Sequence, residues 1–523
     1  MARYPIGQQD FGDIRKEGFT YVDKTQFIIK LLEGNKYYFL ARPRRFGKSL
    51  FLSTLEYFFN GEKELFSGLA IDRYSWDWQP YPVIHIDLGI RTYTDPDSLL
   101  RALQIYMERY EDRFGIIPSP DADIYERFFN LVNKAYIATG KKVVVLVDEY
   151  EKPVIDNIDN PGLFEAHRDI LRGFYSVLKA SDASIRLVFL TGITKFGQMN
   201  VFSGLNNLRD ISMSEEFSTI CGITEEELKE NFREGIQLFS EKRNLTYDEV
   251  LQLLKSNYDG YHFNGNCPDI YNPYSLINAF ADLWIRPYWS ITGTPSLLAK
   301  ILKLKSFNLE KLDGAKISEG RLIGTDLQFD DPLALFYLTG YLTIKRYNEE
   351  ERSYVLGYPN REVEEAFFNY LLPNYSGINK TESESYIDQL YDGFEGGDPA
   401  KAMDVLQEFS KSISYDVIPK LQSERQFQYL VYILCKLLSS RKSMVAVEQK
   451  TSDGRIDLLI ETGRYVYIIE LKFNGNAREA LAQIERKNYG LPYRNDTREV
   501  FAIGINYSSD EKCIDDFIIN HLS

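Results

Sequence analysis

Two groups of residues in this 523-residue sequence have the types and spacing to handle phosphate. The first begins at Phe39-Leu40-Ala41-Arg42-Pro43-Arg44-Arg45-Phe46-Gly47-Lys48-Ser49, where a short apolar run leads through a loop into a segment with Phe51, Leu52, Leu55, Phe58 and Phe59 at helical spacing. A loop between strand and helix turns backbone N–H groups and the positive helix end toward an anion. There Gly47 permits close approach, Lys48 reaches terminal phosphate oxygens, and Ser49 offers a hydroxyl to Mg²⁺. Arg45 and Phe46 complete the loop around the bound group, and Arg44 and Arg45 either neutralise phosphate charge or stay solvated. The apolar run Val143–Val147 ends in Asp148-Glu149, where an aspartate can hold Mg²⁺ through water and a glutamate can polarise an attacking water. A third run, Arg186–Leu190, ends in Thr191-Gly192-Ile193-Thr194, which places a hydroxyl from Thr191, or less directly Thr194, near the terminal phosphate.

The second group lies near the carboxy terminus. Gly454–Ile460 and Tyr465–Lys472 read as two strands of a hairpin turning near Thr462-Gly463. Side chains alternate along a strand, so Glu470 and Lys472 share a face and Asp457 on the paired strand can meet them. Two carboxylates suit one or two Mg²⁺ ions, with the lysine orienting a nucleophile for phosphodiester cleavage. Glu470 and Lys472 end an otherwise apolar strand, a costly place for charge unless it is paired or binds metal. A lone Gly-Lys-Ser turn or a lone Glu-x-Lys on a solvated hairpin would mean little; their strand settings are what argue for chemistry.

The elements that must position these residues follow from patterning. Residues 37–213 alternate strands (Tyr37–Leu40, Val83–Leu88, Val143–Val147, Arg186–Leu190) with helices near 97–113, 122–138 and 163–180, as in a parallel α/β sheet. Beyond about 220 the pattern turns helical, opening with a capping box at Thr224 and Glu227. Residues 331–372 read as helix, hairpin, helix, with strands Tyr341–Arg346 and Tyr354–Leu356; this fits a winged-helix-like unit and fits plain packing better. The Gly-rich Asp392–Pro399 is the linker candidate. A long helical segment near 400–439 follows, then strands and one helix through Tyr507.

Bulk properties exclude several classes. A net charge of −15 disfavours a protein that coats nucleic acid through its overall field, so such contacts must be local. No apolar run approaches the ~20 residues of a membrane span, and the first residues show no secretory pattern, so a cytoplasmic location and no membrane partner are expected. Cys221, Cys267, Cys435 and Cys513 form no paired motif and read as buried thiols.

At Arg42 the first motif departs from G-x-x-x-x-G-K-[ST], whose first glycine would stand there. The strings Tyr21-Val22-Asp23-Lys24-Thr25, Arg42–Ser49, Asp148-Glu149-Tyr150 and Tyr258-Asp259-Gly260-Tyr261 resemble bacterial and archaeal AAA-ATPase-like proteins, a P-loop group that itself carries a non-glycine start and ends in a PD-(D/E)XK nuclease superfamily domain. The resemblance covers nearly the whole chain. It implies an α/β fold: a P-loop NTPase parallel sheet over residues 1–220, a helical lid and middle region over 221–390, and an α/β restriction-endonuclease-like domain over 391–523. Implied with it are ATP and Mg²⁺ as cofactors, a further metal ligand at Glu448 and family positions at Glu424 and Gln483; no substrate carries over from the family, and nucleic acid, DNA before RNA, is the partner expected from the nuclease-like site, with a homo-oligomer left open. Related nucleases place Tyr four residues after this Gln, where Lys487 stands here. The resulting expectation is an ATPase coupled to a Mg²⁺-dependent nuclease, its rival a nucleotide-switched binding or regulatory protein whose nuclease-like domain does not cut.

Overall fold

The computed structural model describes residues 3–193, 205, 207–289, 312–323, 332–413, 424–439, 444–451 and 454–522, with backbone alone for 424–429, 444–451 and 454–455. The chain divides into two compact units, Met1–Val363 and Glu364–Ser523.

The first unit is built on five parallel strands, β1 (Tyr37–Ala41), β2 (Val83–Asp87), β3 (Val143–Asp148), β4 (Ile185–Gly192) and β5 (Arg209–Asp210), in the order β2-β3-β4-β1-β5. Every residue of β1 and β3 is buried, which is why both read as continuous apolar runs without alternation. The intervening helices Lys48–Phe59, Pro96–Phe114, Ile124–Thr139 and Pro161–Ala180 fall where periodicity places them, the third capped reciprocally by Asp123 and Glu126. Because β4 lies between β1 and β3, the carboxyl ends of three strands converge, and in open α/β sheets ligands bind at such a place.

The helical region opens at the expected capping box of Thr224 and Glu227. Its helices enclose a core of Leu228, Phe232, Ile236, Phe239, Val250 and Leu254, against which Tyr4 and Val22 of the amino-terminal segment pack. The predicted hairpin is present as β7 (Thr343–Asn348) and β8 (Ser353–Gly357), but a strand absent from the sequence reading, β6 (Ala315–Ser318), makes it a three-stranded sheet ordered β6-β8-β7.

The second unit carries β9 (Met444–Thr451), β10 (Gly454–Glu461), β11 (Tyr465–Phe473), β12 (Glu499–Ser508) and β13 (Cys513–Leu522), ordered β13-β12-β11-β10-β9 and antiparallel except for β11 with β12. β13 lies past the last expected element. Between β11 and β12 runs the helix Ala477–Arg486, so tightly seated that a Cβ on Gly504 would fall 2.2 Å from the Ala477 carbonyl oxygen. Asp392–Pro399 is not a linker here: it ends the helix Lys380–Gly396, turns through Gly397 at φ 75°, and opens the helix Pro399–Ser412 within this unit. Glycines at a helix stop carry the same composition as a linker.

The four cysteines are buried and unbridged, as expected. Among the described residues no helix is long and apolar enough to cross a membrane.

Candidate functional site

The loop from Arg42 to Gly47 joins β1 to the helix Lys48–Phe59, with Arg45 at φ 68° and Gly47 at φ 91°. The left-handed turn at Gly47 swings the chain into the helix and leaves the space where a side chain would sit open. Lys48 is buried, and its ammonium donates to the carbonyl oxygens of Arg42 at 2.9 Å and Pro43 at 3.0 Å. An ammonium has three donors, so one is left for a phosphate oxygen. Burial pushes Lys48 below the usual lysine range, and the carboxylates of Asp148, Glu149 and Glu151 pull the other way.

Opposite, Asp148 ends β3 buried. Its Oδ1 accepts from the Thr191 hydroxyl at 2.5 Å and from the Glu149 backbone N–H at 3.0 Å. Glu149 itself takes φ 48°, a left-handed conformation uncommon for a residue with a Cβ, and its carboxylate faces Gly89. Glu151 is pushed up to about 8 by burial, although its carboxylate accepts from the Ile193 N–H. A cavity of about 490 Å³ is walled by the loop from Arg44 to Ser49 together with Asp148, Glu149 and Lys152, within the size range of small-ligand sites. Lys48, Ser49, Asp148 and Glu149 are thus brought to one cavity. Thr191 stands behind Asp148, and Thr194 lies outside the described residues.

Asp87 and Gly89 also line this cavity and were not anticipated. Asp87 ends β2 in register with Asp148, its Oδ1 accepts from the Gly89 N–H at 2.7 Å, and burial first, then Asp148 and Glu149, raise its carboxyl. The signal was its place at the carboxyl end of a parallel strand. Arg42 is no phosphate ligand: it is buried, turned to the side, and donates to the carbonyl oxygens of Ala41, Ser212, Phe217 and Ser218. Arg45 lies over the Tyr274 ring at 4.8 Å, and Phe46 is packed in the interior. The Asp23-Lys24-Thr25 string is structural: Lys24 pairs with Glu227 at 2.6 Å, and Asp23 accepts from the N–H groups of Thr25 and Ala70.

In the second unit Asp457 lies one step past the paired Leu458 and Ile469, beside Glu470. Asp457 Oδ2 accepts from the Leu471 N–H at 2.9 Å. Lys472 Nζ is 3.7 Å from Glu470 Oε1 and donates at 2.8 Å to Gln483 Oε1, while the Gln483 amide donates to Glu470. Glu470 is buried, and among the described residues its Oε2 accepts no hydrogen bond. Burial, then the neighbouring Asp457 carboxylate, holds Glu470 well above the usual carboxylate range, with Lys472 opposing. Two carboxylates pressed together with one buried oxygen unsatisfied suit a divalent cation, although the described residues bring no third acid, histidine or cysteine to the spot. The side chains of Glu448 and Glu424 lie outside those described. Gln483 reaches the cluster because Gly504 lets its helix sit directly on β12.

Residues 5–202 match the family described as Predicted AAA-ATPase, and residues 422–517 match the PD-(D/E)XK nuclease superfamily. A protein of Azotobacter chroococcum mcd 1, described as an uncharacterized protein in the vnfD 5′ region, is 34% identical over 532 residues, covering 99% of each chain. Among solved structures, the Aeropyrum pernix ORC1 protein in complex with DNA aligns with 66% of this chain and 90% of its own at 11% identity and a TM-score of 0.25, too loosely to bear on function.

Proposed function

Since the chain belongs to the AAA-ATPase-like family, with a PD-(D/E)XK nuclease superfamily domain near its carboxy terminus, we propose that it is an ATP-binding protein, an ATPase coupled to a Mg²⁺-dependent nuclease. The observation that carries this reading is the meeting of Asp457, Glu470 and Lys472 on one face of a sheet, with a buried carboxylate oxygen left unsatisfied. A nuclease-like domain retained only for binding has no use for that costly arrangement.

At the carboxy-terminal site, Asp457 and Glu470 would hold the ion. When bound, a divalent cation supplies a water of lowered pKa and compensates charge gathering on the phosphate. Lys472, held by Gln483, orients the nucleophile against the scissile phosphate. At the amino-terminal site, Lys48 and the loop N–H groups grip the nucleotide phosphates, Ser49 and Asp148 would hold Mg²⁺, Thr191 fixes the Asp148 rotamer, and Glu149 takes the proton of the attacking water.

The test is a cleavage assay on mixed DNA and RNA with Mg²⁺ or Mn²⁺, with and without ATP. Wild type should cut, DNA in preference to RNA, and respond to ATP; Lys472→Ala should not cut yet should still bind ATP. No cleavage under any nucleotide condition would leave the nucleotide-switched binding protein as the reading.

A further inference from the structure

The phosphate loop is braced on its far side. Arg42 stands where a glycine would begin the loop, and besides its four carbonyl partners its guanidinium lies 4.0 Å from the centroid of the Phe263 ring. The Pro43 ring presses on Gly340, where a Cβ would sit 2.7 Å from it. Phe46 meets Tyr261 edge-on at 4.7 Å between ring centroids and Phe263 at 5.3 Å. Neither Tyr261 nor Phe263 touches the cavity.

This bracing surface is itself fixed. Tyr261 and Ile270 exchange backbone hydrogen bonds at 3.2 and 3.1 Å, and the His262 N–H donates to the Thr343 hydroxyl at 2.7 Å. Gly260, at φ 91°, passes so close to the Pro359 carbonyl oxygen that a Cβ would lie 2.2 Å from it. Yet the Tyr261 hydroxyl is buried and finds no hydrogen-bond partner among the described residues. Leaving a buried donor unsatisfied is unfavourable, so the ring is what the position uses.

We infer that Tyr261 and Phe263 are positioning residues for nucleotide binding: through Phe46 and Arg42 they hold the phosphate loop in its anion-receiving shape from the side away from the cavity, which is how a loop without its first glycine keeps that shape. The inference rests on the nucleotide-binding reading above. It gives the Tyr258-Asp259-Gly260-Tyr261 string a task that no contact with the cavity provides.

The experiment is titration of the full chain with mant-ADP. An edge-on aromatic pair contributes about 0.5–1.5 kcal/mol beyond its buried area, so Tyr261→Leu should weaken binding about two- to twelvefold. Tyr261→Phe keeps the ring and should bind within about twofold of wild type, a rescue that general loss of packing would not single out. Phe46→Leu approaches the same contact from the loop and keeps the test open should Tyr261→Leu fail to fold. The double variant should lose less than the two single losses combined, because the Phe46–Tyr261 contact is common to both. Wild-type affinity in both leucine variants, or an equal loss in Tyr261→Phe and Tyr261→Leu, overturns the inference while nucleotide binding stands. Absence of mant-ADP binding by wild type overturns the nucleotide reading, and this inference with it.

Discussion

The two candidate sites solve opposite electrostatic problems. At the amino-terminal site a buried cation, Lys48, is surrounded by carboxylates and clamped by the carbonyl oxygens of Arg42 and Pro43 at the rim of a cavity of about 490 Å³. At the carboxy-terminal site the excess is negative: Glu470 and Asp457 are pressed together, and Lys472, 3.7 Å from Glu470, also serves Gln483. On the function proposed above, the first site receives an anion and needs little rearrangement to do so. The second, on the same proposal, keeps its two carboxylates in repulsion until a cation binds. The difference is one of preorganisation: backbone geometry fixes the loop, whereas side-chain repulsion defines the hairpin site.

The sharpest way to break this comparison is to relieve the repulsion. Glu470→Ala should lower nuclease turnover at least about a hundredfold, because the cation site and the group it positions are lost together, while mant-ADP affinity stays unchanged. Cleavage that survives the substitution would put the reacting centre elsewhere. Next in size, Lys48→Ala removes a charge-assisted contact worth about 1.5–3 kcal/mol and should weaken nucleotide binding roughly 50-fold in the same titration, leaving nucleotide-free cleavage intact. Gln483→Ala comes third: loss of a residue that orients site groups typically costs about tenfold, to be read as a rise in the Mg²⁺ concentration for half-maximal cleavage. A tenfold fall in turnover with unchanged Mg²⁺ dependence would place Gln483 at the substrate instead.

Much of this was legible in the sequence, and unevenly so. Strand ends and hairpin register are local properties, so the apolar runs read as ending at Leu40, Val147 and Leu190 stop within two residues of the strand ends Ala41, Asp148 and Gly192, and the alternation that brings Asp457, Glu470 and Lys472 together could be read from spacing. What spacing does not carry is contact between distant segments. Arg42 looked like a defect in a phosphate loop because its partners lie at Ser212, Phe217 and Ser218. Gly504 looked unremarkable within an apolar run, although the approach of the Ala477–Arg486 helix depends on it. β6 and β13 escaped because neither alternates over a long enough stretch to stand out from its surroundings.

The smallest expected effect is a pH dependence of stability that separates the two sites. Glu470 has its folded carboxyl raised above the unfolded value, so its contribution to stability is fully present below the usual carboxylate range and is lost as pH rises through the raised value, where the folded chain must accept a buried charge beside the Asp457 carboxylate. In the absence of divalent ions the melting temperature of the transition that includes the second unit should therefore fall by a few degrees between mildly acidic and mildly alkaline pH, a shift of about 2–4 °C for each kcal/mol lost. Mg²⁺ should flatten the profile, because a bound cation offsets the charge that proton release exposes, and Glu470→Gln should flatten it without Mg²⁺. Adding mant-ADP should raise stability at every pH without changing this slope, since Lys48 and the loop carbonyls belong to the other electrostatic regime. A slope that nucleotide removes and Mg²⁺ does not would reverse the assignment of which site waits for a cation.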